Sequence, residues 1–217
     1  MMAWARKAIQ EGYAVLLLDS LGPRGVDTVC YGPKGGVHFL QGVRDALMAA
    51  EHLRKLDFVD KKRVAHVGFS WGAMVGLLAN SKSFRRLAGN HESFAAHVSF
   101  YPGCFTIKPA NFAPYEIVRN DMERPHLVLM GDRDLETPAS ECVPKLNAAK
   151  AAGSPVEWHV YSNGTHCWDC ENLHGFSKVD SRGRRVIYRY DASLTSDSQR
   201  RMFQALERMG AAPRDKK

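Results

Sequence analysis

The sequence contains no hydrophobic run of membrane length. Its apolar stretches stop far short of the roughly 20 residues that a spanning helix needs. No leader is expected either: Met1-Met-Ala-Trp-Ala-Arg-Lys-Ala-Ile-Gln10 has no apolar core and reads as an amphipathic helix, not a signal peptide. No membrane partner is expected, and a cytoplasmic location follows as the expectation. There is no even set of cysteines. Five are present, Cys30, Cys104, Cys142, Cys167 and Cys170, and an odd count does not make a complete disulfide framework. Cys167-Trp-Asp-Cys170 has CxxC spacing, but no second CxxC accompanies it and the context is not thioredoxin-like. These read as loop cysteines, paired with each other if the protein meets an oxidising compartment. No metal and no cofactor are expected. Nor is there a long block of one charge. The net charge is +7, from 30 Lys and Arg against 23 Asp and Glu, but the basic residues are scattered. The densest groups are Lys61-Lys62-Arg63, Arg184-Arg185, Arg200-Arg201 and the tail Arg214-Asp-Lys-Lys217, and no nucleic-acid motif accompanies them. No nucleic-acid partner is expected. Internal repeats and low-complexity segments are absent too, which excludes solenoid and disordered classes.

What is present is an ordinary globular composition of 217 residues, enough for one domain over 1–217 with a real core. Ala14-Val-Leu-Leu-Leu-Asp19 is a short continuous apolar run, the pattern of a strand buried on both faces. Ser20 to Gly36 holds five Gly and two Pro and reads as a loop. Leu40 to Leu56 carries Val43, Leu47, Ala50 and Leu53 at helical spacing. Further buried strands are expected at Arg63–Phe69, Phe94–Tyr101, His126–Met130 and Val156–Tyr161, with helices at Trp71–Asn80 and Pro138–Ala152. Residues 102–124 read as loop with at most one helical turn. Residues 163–185 read as a long loop and Arg185–Tyr190 as a short extra strand. A terminal helix is expected from Ser196 to Met209, capped by Ser196 or Asp197. Strands alternating with helices at this spacing predict an α/β domain, a mostly parallel sheet flanked by helices. Reactive residues in such sheets sit at the carboxyl ends of strands.

Gly68-Phe-Ser70-Trp-Gly72 lies at such an end. A G-x-S-x-G pattern alone is weak, but here it closes a predicted strand and opens a predicted helix. That is the context of a nucleophile elbow, in which a strained turn lifts the serine hydroxyl out of the sheet. The Trp71 backbone N–H would then face the oxygen of an attacked carbonyl. A serine hydroxyl needs a base. Of nine histidines, His166 follows the last strong strand in Gly164-Thr-His166, at the same rim. His66, His97 and His159 lie inside strands and read as packed residues. The base needs an orienting carboxylate, and Asp132 or Asp134 after the fourth strong strand could serve. With Asp134 the chain order is nucleophile, acid, histidine, the order of an α/β-hydrolase.

With these segments in place the chain resembles the dienelactone hydrolase family of the α/β-hydrolase superfamily. The matching segments are Gly12–Gly25, the elbow, Gly131-Asp-Arg-Asp-Leu-Glu-Thr-Pro138 and Tyr161-Ser-Asn-Gly-Thr-His166. The family pattern G-x-x-D-x-x-x-P puts the acid on Asp134. The namesake enzymes carry a cysteine at the elbow, so Ser70 implies a serine esterase-like member. The resemblance implies hydrolysis of small carboxylic esters by Ser70, His166 and Asp134 through an acyl-enzyme. A lactone hydrolase is the runner-up, and a weak or inactive hydrolase fold kept for binding is the rival from another class. The family holds anionic substrates with arginines near Arg24, which implies a carboxylate-binding role there; a turn arginine beside Gly-Pro is the alternative. Trp168, next to His166, is a candidate wall of an acyl pocket, with core packing as its alternative.

Against the family pattern the front of the sheet is short. The superfamily places another strand between the Ala14–Asp19 strand and the Arg63–Phe69 strand, with a loop supplying a second oxyanion donor. Three arrangements answer to this: a chain truncated at its start, two strands closing up to pair directly, or a second chain filling the gap. Truncation or a short variant is the expected one, and a homodimer stays open. Losing one oxyanion donor costs on the order of a hundredfold in rate, so weak activity is expected if that donor is absent.

Overall fold

The protein is described by a computed structural model over residues 1–109, 113–180 and 182–213; the basic tail Arg214–Lys217 lies outside the described residues. In chain order the elements are α1 (Met2–Gln10), α2 (Phe39–Leu53), β1 (His66–Phe69), α3 (Trp71–Asn80), α4 (Lys82–Ala88), β2 (His97–Phe100), β3 (Thr106–Ile107), β4 (Tyr115–Glu116), β5 (His126–Gly131), α5 (Ala139–Ala151), β6 (Val156–Tyr161), β7 (Ser177–Val179), β8 (Arg185–Ile187) and α6 (Ala192–Arg208). Four of the strands form a wholly parallel sheet in the order β1-β2-β5-β6. β2 and β5 are buried at every residue, which is why they read as continuous apolar runs.

Alternation along each strand sorts the core into two layers. Val98, Phe100, Leu127 and Leu129 pack with Trp4 of α1 and with Met202, Phe203 and Leu206 of α6. Val128, Met130 and Val156 pack on the other side with α2, α3, α4 and α5 through Leu47, Val75, Leu78, Phe84 and Leu146. A disulfide joins Cys104, after β2, to Cys142 of α5. Among the described residues no helix is long and apolar enough to cross a membrane.

Several expectations need correction. Ala14–Asp19 is not a strand. Val15, Leu16, Leu17 and Leu18 are 37–47% exposed, and the run joins no ladder. An apolar run has strand character only when a neighbour takes its N–H and C=O groups, and β1 bonds only to β2. Direct closure of these two segments therefore does not occur. β1 and β2 each begin three residues later than expected, because Lys61–Arg63 forms a 3₁₀ turn capped by Asp60 and Phe94 turns its ring against His66 and His97. The last helix starts at Ala192, with Asp191 rather than Ser196 or Asp197 as its cap, accepting from the Leu194 amide. β3 and β4 pair inside the segment read as loop, and β7 supplies an unforeseen partner for β8. Cys167 and Cys170, whose pairing the sequence leaves open, are free thiols, as is Cys30.

Candidate active site

Ser70, Asp134 and His166 each follow the carboxyl end of a strand. Ser70 follows β1 and opens α3 with φ 48° and ψ −113°, a strained backbone for a residue with a side chain. The elbow is forced by Gly68: a Cβ there would lie 2.2 Å from the carbonyl oxygen of Gly72, so only glycine lets strand and helix approach. Gly72 itself has open space where a Cβ would go, so the closeness comes from one glycine of the pair. Trp71 is the first residue of α3, where backbone N–H groups have no partner within the helix.

A second glycine contact sets the other half. A Cβ on Gly131, at the end of β5, would lie 2.1 Å from the carbonyl oxygen of Gly164. This backbone approach draws the loop after β5 against the loop after β6. Arg133 N–H donates to Gly164 O at 2.9 Å and fixes their register. Asp134 and His166 thereby meet, 2.7 Å between Oδ2 and Nδ1. His166 Nε2 lies 2.9 Å from Ser70 Oγ. An ionised Asp134 can only accept, so Nδ1 carries the proton and Nε2 is free to accept from the Ser70 hydroxyl. His166 and Asp134 are almost wholly buried, at 3% and 2% exposure. Burial opposes a charge on His166, but the Asp134 carboxylate and its hydrogen bond outweigh that, with a smaller contribution from Glu136. The net effect raises the imidazole above its ordinary value.

Sequence reasoning missed the residues that hold this pair. Thr137 N–H and Glu136 N–H donate to Asp134 Oδ1 at 2.8 and 2.9 Å, and Thr137 Oγ1 donates to Oδ2 at 2.7 Å. Thr137 Oγ1 is also 3.1 Å from the carbonyl oxygen of Tyr101. Tyr101 follows β2 with φ 41° and sets its ring 4.7 Å from that of His166. Its hydroxyl donates to Asp169, which also accepts from Trp4 Nε1. The signal for Thr137 was present, since it immediately precedes the proline of the acid motif. Nothing local in the sequence pointed to Tyr101.

Three candidates are not part of this assembly. Arg24 donates to both oxygens of Asp45 at 2.8 and 2.9 Å and to Ser20 O at 2.7 Å. Its charge is matched by a carboxylate of α2. Trp168 is fully buried among Tyr101, Tyr161 and Phe100, with Nε1 donating to Ser198 Oγ, so it is a core residue and not a pocket wall. Asp132 accepts from the Asn163 N–H and lies apart from His166. Among the described residues, no three His, Cys or carboxylate side chains converge as a metal would require.

Comparison with known proteins agrees with this architecture. The model of the dienelactone hydrolase family matches residues 2–210. Dipeptidyl-peptidase 5 of Porphyromonas gingivalis is 25% identical over 192 residues, which cover 74% of this chain and 27% of that protein. The chain thus spans about a quarter of the length of the curated relatives it matches. Among solved structures, MGS-M1, an α/β hydrolase enzyme from a Medee basin deep-sea metagenome library, superposes with a TM-score of 0.57 at 20% identity. That match covers 82% of this chain and 69% of the other. The butyrate-bound esterase Est2 of Thermogutta terrifontis gives 0.58 at 15% identity, covering 83% and 69%. At these identities the structural likeness speaks for the α/β-hydrolase fold.

Proposed function

The chain belongs to the dienelactone hydrolase family, and from that premise we propose that it is a serine hydrolase cleaving carboxylic esters of small molecules. The observation that carries this reading is the continuous chain of hydrogen bonds Asp134–His166–Ser70, 2.7 and 2.9 Å long, ending on a strained serine. In the proposed reaction the Ser70 hydroxyl attacks the ester carbonyl while His166 Nε2 takes its proton. Asp134 keeps His166 in the tautomer that can do so and stabilises the imidazolium that forms. The Trp71 amide donates to the oxyanion. His166 returns the proton to the leaving alcohol. Water then attacks the acyl-enzyme by the same route and releases the acid.

The raised His166 value fixes the direction of the pH dependence. A protonated imidazole cannot accept from Ser70, so the rate falls as pH drops through a value raised from the ordinary histidine value by the Asp134 carboxylate. Steady-state hydrolysis of p-nitrophenyl butyrate tests the proposal. Turnover by the wild-type protein, lost in Ser70→Ala, supports it. Equal turnover by the two proteins would sink it.

A further inference from the structure

At the β6 end of the same rim lies a cleft of about 480 Å³ that includes neither Ser70 nor Trp71. Three arginines line it: Arg133 from the loop after β5, and Arg185 and Arg189 from β8 and the strand's exit. Their backbones are fixed. Arg133 N–H donates to Gly164 O, and Arg189 N–H donates to Thr165 Oγ1. Their guanidinium groups are not: all three residues are exposed, and among the described residues none of the three side chains forms an ion pair or hydrogen bond. Neighbouring arginines differ in this. Arg182 is paired with Glu141 and Arg184 with Asp180. The carboxylate that also borders the cleft, Asp134, is 2% exposed and already bonded to His166 and Thr137. Three arginines therefore line one cleft, and among the described residues none of their side chains has an ion-pair partner. Its walls are apolar as well, with Leu135 and Ile187 exposed at 55% and 43%.

We propose that this cleft binds a small organic phosphate monoester, its dianion held by Arg133, Arg185 and Arg189 and its carbon chain lying on Leu135 and Ile187. Planar guanidinium forks match phosphate oxygens in pairs, and three of them suit a dianion better than a single carboxylate. The volume is in the range of small-molecule sites. The proposal does not rest on Ser70 or on hydrolysis: the cleft borders His166 and Asp134, but the groups proposed to hold the anion are the three arginines.

Calorimetric titration with n-butyl phosphate tests it, with inorganic phosphate and butyrate as comparators, on wild-type and Ser70→Ala protein alike. The expected result is saturable binding of butyl phosphate, on the order of tenfold tighter than either comparator. Arg185→Gln and Arg189→Gln should each weaken it by roughly tenfold, while Arg86→Gln on α4 leaves it unchanged. Circular dichroism checks that each variant is folded. Absence of binding to folded protein overturns the proposal, as does binding indifferent to Arg185 and Arg189. Butyrate binding as well as butyl phosphate would make the site a monocarboxylate site, and inorganic phosphate binding as well would remove the apolar wall from the account. Because Ser70→Ala is included, failed ester turnover and failed phosphate binding are separately visible.

Discussion

The two ends of one sheet treat the same side chain in opposite ways. At the carboxyl rim His166 is buried against a carboxylate and its imidazole is raised. At the amino end His66, His97 and His126 lie side by side on β1, β2 and β5, in register, with His97 and His126 fully enclosed and His66 half-buried. His97 stacks on His126 at 5.1 Å, and neither of its ring nitrogens has a partner among the described residues. Burial, reinforced by His126, His66, Arg85 and Arg124, holds His97 well below the ordinary value. Burial similarly brings His66 to about 4 and His126 to about 3. Depth in the core is common to both ends, so depth does not decide whether a histidine can carry a proton. The facing carboxylate decides it. In the proposed reaction one end accepts a proton during turnover, and the other is stable only while it has none.

Removing that carboxylate breaks the contrast most severely. Asp134→Asn should lower kcat for p-nitrophenyl butyrate by about 10⁴, and the acid limb of the pH–rate profile should move to lower pH. An unchanged limb would mean that Asp134 does not set the His166 charge.

The next largest effect is on stability. At the amino end the folded values are lowered, so the unfolded chain binds more protons below about pH 6.5. Stability is then complete above that pH and falls as pH drops toward 4, by about 1.4 kcal/mol per pH unit for each such histidine. His166 has the opposite sign: its contribution is complete below the ordinary value and is lost as pH rises through the raised one. Replacing His97 with Phe should remove one histidine's share of the acid slope in urea melts, with little loss at pH 8 because no partner is stranded. A slope equal to that of the wild type would show that His97 is not neutral in the fold.

Smaller again is the effect of the glycine that joins the two loops. Gly131→Ala drives a methyl into the Gly164 carbonyl and should cost about 1–3 kcal/mol. Gly72→Ala meets open space and should be neutral or stabilising by up to about 1 kcal/mol. A comparable loss from Gly72→Ala would mean that the elbow is crowded at Gly72 as well as at Gly68. Smallest is Thr137→Val, which removes one donor to Asp134 while two amides remain. A roughly tenfold lower kcat with KM unchanged is expected, and Thr137→Ser should restore the rate.

Much of this was legible in the sequence where one signal has one physical meaning. β6 and α3 were read with their observed bounds because a run between turn residues, and a small apolar helix after G-x-S-x-G, have few other readings. The Ser70, Asp134 and His166 positions followed from strand ends and from the family motif. Ala14–Asp19 was misread because apolarity reports what a segment could bury, while a strand also needs a ladder partner that only topology supplies. The pairing of Arg24 was not legible for a related reason: its partner Asp45 is 21 residues away on α2, and no local pattern announces it. The Cys104–Cys142 pair, 38 residues apart, was hidden behind the more conspicuous CxxC.

The central claim is that Ser70 is a nucleophile made reactive by His166 and Asp134. Its most direct test is intact-mass and peptide-mass analysis after exposure to a fluorophosphonate probe at pH 8. The expected result is one label per chain, located on Ser70, formed much more slowly in Asp134→Asn and not at all in Ser70→Ala. Folded wild-type protein that takes no label, or takes it on another residue, would contradict the claim.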